Sequence, residues 1–318
     1  MKNTILAFCC ILLQQPLFAE NKDWLIDGSP YKTEVNLSSD KKQIELTNGL
    51  LRRSFSLTPN GATIALDNLM TGQNELRAVR PEAVLVINGK EYPVGGLEGQ
   101  PVHNFLTKDF LSGMQLCDSA FVLAGYTVSE TKERFPWKPN EAWISNRYPW
   151  PVPGKRITFT YRAPRKIVDE CKGLTIRIVY ELYDGAPILS KWIEIENNGQ
   201  KAVTLDSFKS EVLALVETAP KVHYGEPHEV RMMAQKTGYY TEDYRKRPVQ
   251  TDAPRDYIDR FTQLFVVTDY AMGGDMEAMK DNPAVRWVFD HPEYEFTGIR
   301  YYGQYKPARL EVTPLLGP

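Results

Sequence analysis

The segment that most constrains this chain is GLTIRIVYELYDGAPILSKWIEIENNGQKAVTL, ending at Leu205. Leu174, Ile176, Ile178, Tyr180 and Leu182 alternate with Thr175, Arg177 and Glu181. A period of two puts the apolar set on one face of an extended strand and the polar set on the other. Asp184-Gly185 is a turn dipeptide that sends the chain back. On the return, Ile193 and Ile195 share one face while Glu194 and Glu196 take the other. Asn198-Gly199 predicts a further turn into a third strand through Val203 and Leu205, so the segment reads as a three-stranded meander.

The same device recurs upstream. Ile44 and Leu46 lead into Asn48-Gly49 with Phe55 and Leu57 beyond, and Asn88-Gly89 joins two short runs in AVLVINGKEYPV. Strand runs at this spacing, without strand-helix alternation, predict an all-β chain: one large antiparallel β-supersandwich over residues 20–318, with few short helices. Helical turns are expected in DYIDRFTQLF and around Asp275 to Met279. An apolar share of 42% is ample for a core.

Residues 1–19 carry an export pattern: Lys2 at the start, an apolar stretch from Ile5 to Leu13, and a small residue at Ala19. The stretch is too short to span a bilayer, and Phe8 before Cys9 does not fit a lipid-anchor site. A secreted or periplasmic mature chain from Glu20 follows. Lys plus Arg number 38 against 40 Asp plus Glu, a net charge of −2, which leaves no basic field for nucleic acid or an anionic membrane. Of four cysteines only Cys117 and Cys171 remain after cleavage, and an oxidising compartment leaves both one disulfide and two buried thiols open.

Two stretches break the strand pattern. In ERFPWKPNEAWISNRYPWPVPGK, Pro136, Pro139, Pro149, Pro151 and Pro153 stand among Trp137, Trp143, Tyr148 and Trp150. Proline lacks the N–H that a central strand must donate, so this is a loop, where binding residues concentrate. A sugar offers an apolar C–H face to an indole ring while its hydroxyls seek carboxylates, amides and guanidiniums. Trp137, Trp143, Trp150 and Tyr148, with Glu141, Asn146 and Arg147, form the candidate sugar platform. For any one tryptophan, packing the loop onto the sheet competes with ligand stacking.

The second loop spans His223 to Arg260. His223, Glu226, His228 and Glu229 lie close together, but Gly225 and Pro227 preclude the helix that a two-histidine zinc motif needs, so no metal or cofactor is expected. Tyr239, Tyr240, Tyr244 and Arg245 suit a cleft lining, a lid or an oligomer contact. Tyr301, Tyr302 and Tyr305 read as an aromatic strand pair in the core. Phosphate-loop, dinucleotide and serine-hydrolase signatures are absent.

Taken in order, LTNGLLRRSFSLTPNGATIALDNLMTGQNELR, PEAVLVINGKEYPVGG and the segment from Leu174 to Leu205 resemble the N-terminal β-supersandwich of alpha-galactosidase-like glycoside hydrolases, the melibiase relatives of family 36 and clan D. The resemblance spans residues 40–312 and implies a galactose mutarotase-like sandwich that precedes a catalytic barrel. The family's catalytic aspartates belong to that barrel, one of them in a K-x-D strand motif that this sequence lacks, so the resemblance transfers no catalytic residue. It implies a non-catalytic carbohydrate-recognising module, cut before the barrel and lacking its last strand, with an oligosaccharide or galactoside as ligand and a barrel domain or a second copy as partner. By the same analogy the loop from Trp137 to Trp150 reaches the barrel mouth. Two other readings stand beside it. A stand-alone mutarotase-like enzyme needs His103, His223, His228 or His291 beside a carboxylate, and an interaction domain needs no ligand.

Overall fold

The computed structural model describes residues 23–100, 106–138, 149–164, 171–215, 236–237, 240–241, 285–289 and 308–313. Five strands open the fold: β1 (Glu34–Leu37), β2 (Gln43–Thr47), β3 (Leu51–Ser56), β4 (Ala62–Asn68) and β5 (Gln73–Asn74), antiparallel neighbours in chain order. Next come β6 (Leu76–Ala78), β7 (Ala83–Ile87), β8 (Lys90–Val94) and a single short helix, α1 (Lys108–Gly113). Then β9 (Val122–Glu130), β10 (Gly154–Arg162), β11 (Leu174–Tyr183) and β12 (Leu189–Asn197) form a second antiparallel sheet, again in chain order. After these come β13 (Leu205–Lys209), β14 (Glu211–Leu215), the two-residue pair β15 (Lys236–Thr237) and β16 (Tyr240–Thr241), β17 (Val285–Phe289) and β18 (Ala308–Val312). The described residues are thus mostly β, in antiparallel sheets, with almost no helix.

The alternation read from β11 is realised. Leu174, Ile176, Ile178, Tyr180 and Leu182 are buried in one core with Ile44, Leu46 and Phe55 of the first sheet, Leu85, Ile87 and Tyr92 of β7 and β8, and Ile157, Phe159 and Tyr161 of β10. Phe55 anchors it, with ring centroids 4.8 Å from both Phe159 and Tyr180. Truncating a buried aromatic of this kind to alanine costs about 3–5 kcal/mol. A smaller cluster of Ala62, Ile64, Val79, Leu97 and Met114 is covered by Leu106 and Leu111 near α1. The expected helical turns at 256–265 and 275–279 lie outside the described residues. The helix that is described starts at Thr107, whose hydroxyl accepts the Phe110 amide at 3.3 Å.

The three-stranded meander needs correction. The strand after Asn198-Gly199, β13, does not pair with β12 but crosses to β7, with Leu205 opposite Ile87 and Phe208 opposite Leu85. The cause is local. At the β7–β8 turn, Asn88 and Gly89 both take positive φ, 49° and 76°. That turn captures the arriving chain: the Asn88 amide donates to the Thr204 carbonyl at 3.0 Å, Asn88 Oδ1 accepts the Thr204 amide, and Asp206 accepts the Gly89 amide at 2.6 Å. The expectation for the cysteines resolves into two free thiols, Cys171 buried and Cys117 half-buried.

The segment before β1 latches onto the β11–β12 turn. Thr33 donates its amide to Asp184 Oδ1 and Gly185 donates to the Tyr31 carbonyl, both at 2.8 Å. Gly28 packs so close to Gly185 that a Cβ on Gly28 would lie 2.6 Å from the Gly185 carbonyl oxygen.

Candidate functional site

The face of the β9–β12 sheet that points away from the core carries the aromatic and charged residues. Register places Arg156 opposite Glu181, Glu181 opposite Ser190, and Val179 opposite Trp192. Cross-strand neighbours of this kind stand within contact distance. Arg156 binds Glu181 through Nε at 2.7 Å and Nη2 at 2.6 Å, and Tyr183 donates its hydroxyl to the other carboxylate oxygen at 3.0 Å. Burial first, with the Glu181 carboxylate adding to it, pushes the Tyr183 phenol above its ordinary value against the Ser190 hydrogen bond.

Trp192 is the floor of this face. The guanidinium of Arg134 lies 4.7 Å from its ring centroid and that of Arg156 at 5.1 Å, both within cation–π range. Its indole N–H goes to Glu194 at 3.1 Å. Arg134 belongs to the proline-rich loop, so this contact holds the loop down on the sheet. Backbone and side-chain bonds at the loop's base do the same: Thr131 donates its amide to the Gly154 carbonyl at 3.2 Å and its hydroxyl to the Val152 carbonyl at 2.6 Å.

Beyond the clamp, Trp150 stands between two other rings. Its centroid is 5.4 Å from Phe135 and 5.2 Å from Trp137, each pair tilted. Its N–H is shared between Glu133 Oε1 at 3.2 Å and the Phe135 carbonyl at 3.3 Å. Phe135 and Trp137 remain 50% and 37% exposed, so Trp150 acts as a post and the other two form an outer rim. Of the six expected sugar-contacting residues, Trp137 and Trp150 are brought together here. Trp143, Tyr148, Arg147 and Glu141 lie outside the described residues, as do His103, His223, His228, His291 and the tyrosines of 239, 244, 301, 302 and 305. Phe135, Arg134, Arg156 and Trp192 were not singled out from the sequence. Trp192 was within reach, because it shares the outer parity of Glu194 and Glu196.

A second cluster, inside the fold, also escaped the sequence reading. Arg53 of β3 reaches Glu211 of β14 through Nη1 at 2.7 Å and Nη2 at 3.2 Å, and comes within 3.6 Å of Glu82. Lys191 of β12 binds the same Glu211 at 2.7 Å and the Glu82 carbonyl. Glu82 accepts from the Thr63 amide, the Thr63 hydroxyl and the Tyr180 hydroxyl. Burial alone would raise the Glu211 carboxyl, but Arg53 and then Lys191 outweigh it and bring it down to about 2. Burial also works against the charge on Arg53, and Glu211 and Glu82 overcome it, so the guanidinium stays charged. Two cations and two carboxylates balance. Every carboxylate oxygen has a partner within the fold, which marks this as a structural network joining sheets rather than an open acid-base site.

Among the described residues no group of three or more His, Cys, Asp and Glu is arranged to hold a metal, and no helix is long and apolar enough to cross a membrane. No family model, no curated protein and no solved structure matches this chain.

Proposed function

We propose that the chain is an exported, non-catalytic carbohydrate-recognising module, folded as a β-supersandwich of the kind that stands before the barrel of alpha-galactosidase-like glycoside hydrolases, with an oligosaccharide or galactoside as its ligand. The observation that carries the reading is the rim of Phe135 and Trp137. Two exposed rings, propped by Trp150 and tied to the sheet through Arg134 and Trp192, form a rigid apolar edge among hydrogen-bonding side chains. That combination suits a sugar, which is apolar across its ring face and polar at its rim.

Titrating the intact chain with galactosides, followed by tryptophan fluorescence, tests it. Trp137→Ala should weaken binding about tenfold or more, roughly 1.4 kcal/mol, at unchanged melting temperature. Trp150→Ala should lower affinity and melting temperature together, because Trp150 supports the loop. Parent and Trp137→Ala chains with the same affinity would refute the platform.

A further inference from the structure

We infer that the fold singles out Asn198 as a self-modifying residue, the position at which this chain deamidates, with the Gly199 amide nitrogen as nucleophile and water as co-reactant. The sequence holds four Asn-Gly pairs, Asn48-Gly49, Asn60-Gly61, Asn88-Gly89 and Asn198-Gly199, and in each the glycine leaves the attacking nitrogen unhindered. What separates them is how the structure holds the reacting groups. The Asn48 carboxamide is buried, donates to the Tyr183 and Ala186 carbonyls and accepts from the Leu50 and Leu51 amides. That of Asn60 is buried as well, bound to the Phe121 carbonyl and to the Gly61 and Leu123 amides. Asn88 is exposed, but its oxygen is fixed by the Thr204 amide, and Gly89 gives its N–H to the Asp206 carboxylate at 2.6 Å. A nitrogen that must lose its proton beside a carboxylate is held back by the charge already there.

Asn198 has neither restraint. It follows the last residue of β12 and is exposed. Its carboxamide reaches Glu196, which Arg177 already engages, and Gly199 gives its N–H to the neutral side chain of Asn197 at 2.9 Å. An intramolecular nucleophile beside its target needs only that freedom to react. The Gly199 nitrogen passes its proton to hydroxide and attacks Cγ of Asn198; the N–Cγ bond forms, the Cγ–Nδ2 bond breaks and ammonia leaves. Water then opens the imide ring. Opening at Cγ yields aspartate, and opening at the α-carbonyl yields isoaspartate, whose backbone runs through Cβ and Cγ. Either product sets a new carboxylate beside Glu196. Isoaspartate also lengthens a turn that has no room for it: Gly173 accepts the Asn198 amide at 3.0 Å, and a Cβ on Gly173 would lie 2.7 Å from the Gly199 Cα.

The test is peptide mapping of the intact chain aged in mildly alkaline buffer, both native and in concentrated urea. In the native chain Asn198 should convert to the acid about tenfold or more faster than Asn48, Asn60 or Asn88. In urea, where the hydrogen bonds of the fold are gone, the four rates should draw together. Asn198→Gln should stop the conversion at this position, because the longer side chain closes its ring slowly. The aged, isoaspartate-bearing chain should melt below freshly made Asn198→Asp, which carries the same new charge on an unlengthened backbone. Asn198 converting no faster than the other three in the native chain would overturn the assignment. So would a lead that survives in urea, since it would then come from the neighbouring residues and not from the fold.

Discussion

Tyr161 lies wholly inside the core, and its hydroxyl has no hydrogen-bond partner among the described residues. It points at bare backbone. A Cβ on Gly61 would sit 2.5 Å from that oxygen, and one on Gly95, where φ is +64°, would sit 3.1 Å away. Both glycines therefore make room for the phenol without offering it a donor or acceptor. A buried polar group left unpaired is a net penalty, whereas the ring beneath it is ordinary core. Tyr161→Phe keeps the ring and removes the penalty, so chemical denaturation should give a stability equal to the parent or about 1 kcal/mol higher. A clear loss would mean that the hydroxyl has a partner. Burial also holds this phenol protonated well beyond its usual range, so alkaline titration should leave it silent.

Elements show where local sequence is informative and where it stops. The Asn48-Gly49, Asn88-Gly89 and Asp184-Gly185 turns and the β11 alternation depend on neighbours within a few residues, and they join or form strands as expected, whereas the strand after Asn198-Gly199 does not pair as its turn suggested. Asn48 shows the limit. As a turn residue it was readable, but its buried side chain does something that no window of sequence contains: Nδ2 donates to the carbonyls of Tyr183 and Ala186, both at 2.8 Å and up to 138 residues away. Meanwhile Oδ1 accepts the amides of Leu50 and Leu51 at 3.0 and 3.1 Å. One amide thus staples the β2–β3 turn to the β11–β12 turn. Asn48→Ala strands the Leu50 and Leu51 amides and takes a donor from two carbonyls, of which that of Ala186 keeps the Ile188 amide at 2.8 Å, and urea denaturation should show a loss of about 2–3 kcal/mol with an unchanged slope. A change below about 0.5 kcal/mol would mean that water replaces the staple freely. The same distinction explains the site. Trp137 and Trp150 announced themselves by type and by the prolines around them, while Trp192 and Arg156 became site residues only through strand register. The crossing of β13 to β7 was likewise decided by a turn more than 100 residues upstream of it.

At the scale of the molecule, the Arg53, Glu82, Lys191 and Glu211 network is where the sheets are joined. It draws β3 from the first sheet, Glu82 from just before β7, Tyr180 and Lys191 from β11 and β12, and Glu211 from β14. One signal for it lay in the sequence without being drawn from it: Lys191 shares the inward parity of Ile193 and Ile195, and a cation on a core face demands a carboxylate. Which carboxylate, from which strand, depends on long-range pairing. The network also makes stability depend on pH in a defined direction. Glu211 has a folded-state value of about 2, below the ordinary 4.5, so the unfolded chain binds its proton more readily than the folded one. Its contribution is complete above pH ~4.5 and is lost as the pH falls towards about 2, an effect on the order of 3 kcal/mol. Lys191 acts at the other end: burial first lowers its value despite Glu211, so the unfolded chain again binds the proton more readily, and this group by itself favours the folded state more as the pH rises towards its ordinary 10.5. Glu211→Gln keeps the shape and removes the charge, leaving Arg53 and Lys191 short of a counterion. Urea denaturation of parent and variant at about pH 7, 4 and 2.5 should show the variant much weaker at neutral pH and the gap closing in acid, because the parent loses there what the variant never had. Two parallel stability curves would mean that Glu211 takes up its proton at the same pH in the folded and unfolded chain, and the balanced four-charge network would have to be redrawn around Glu82 alone.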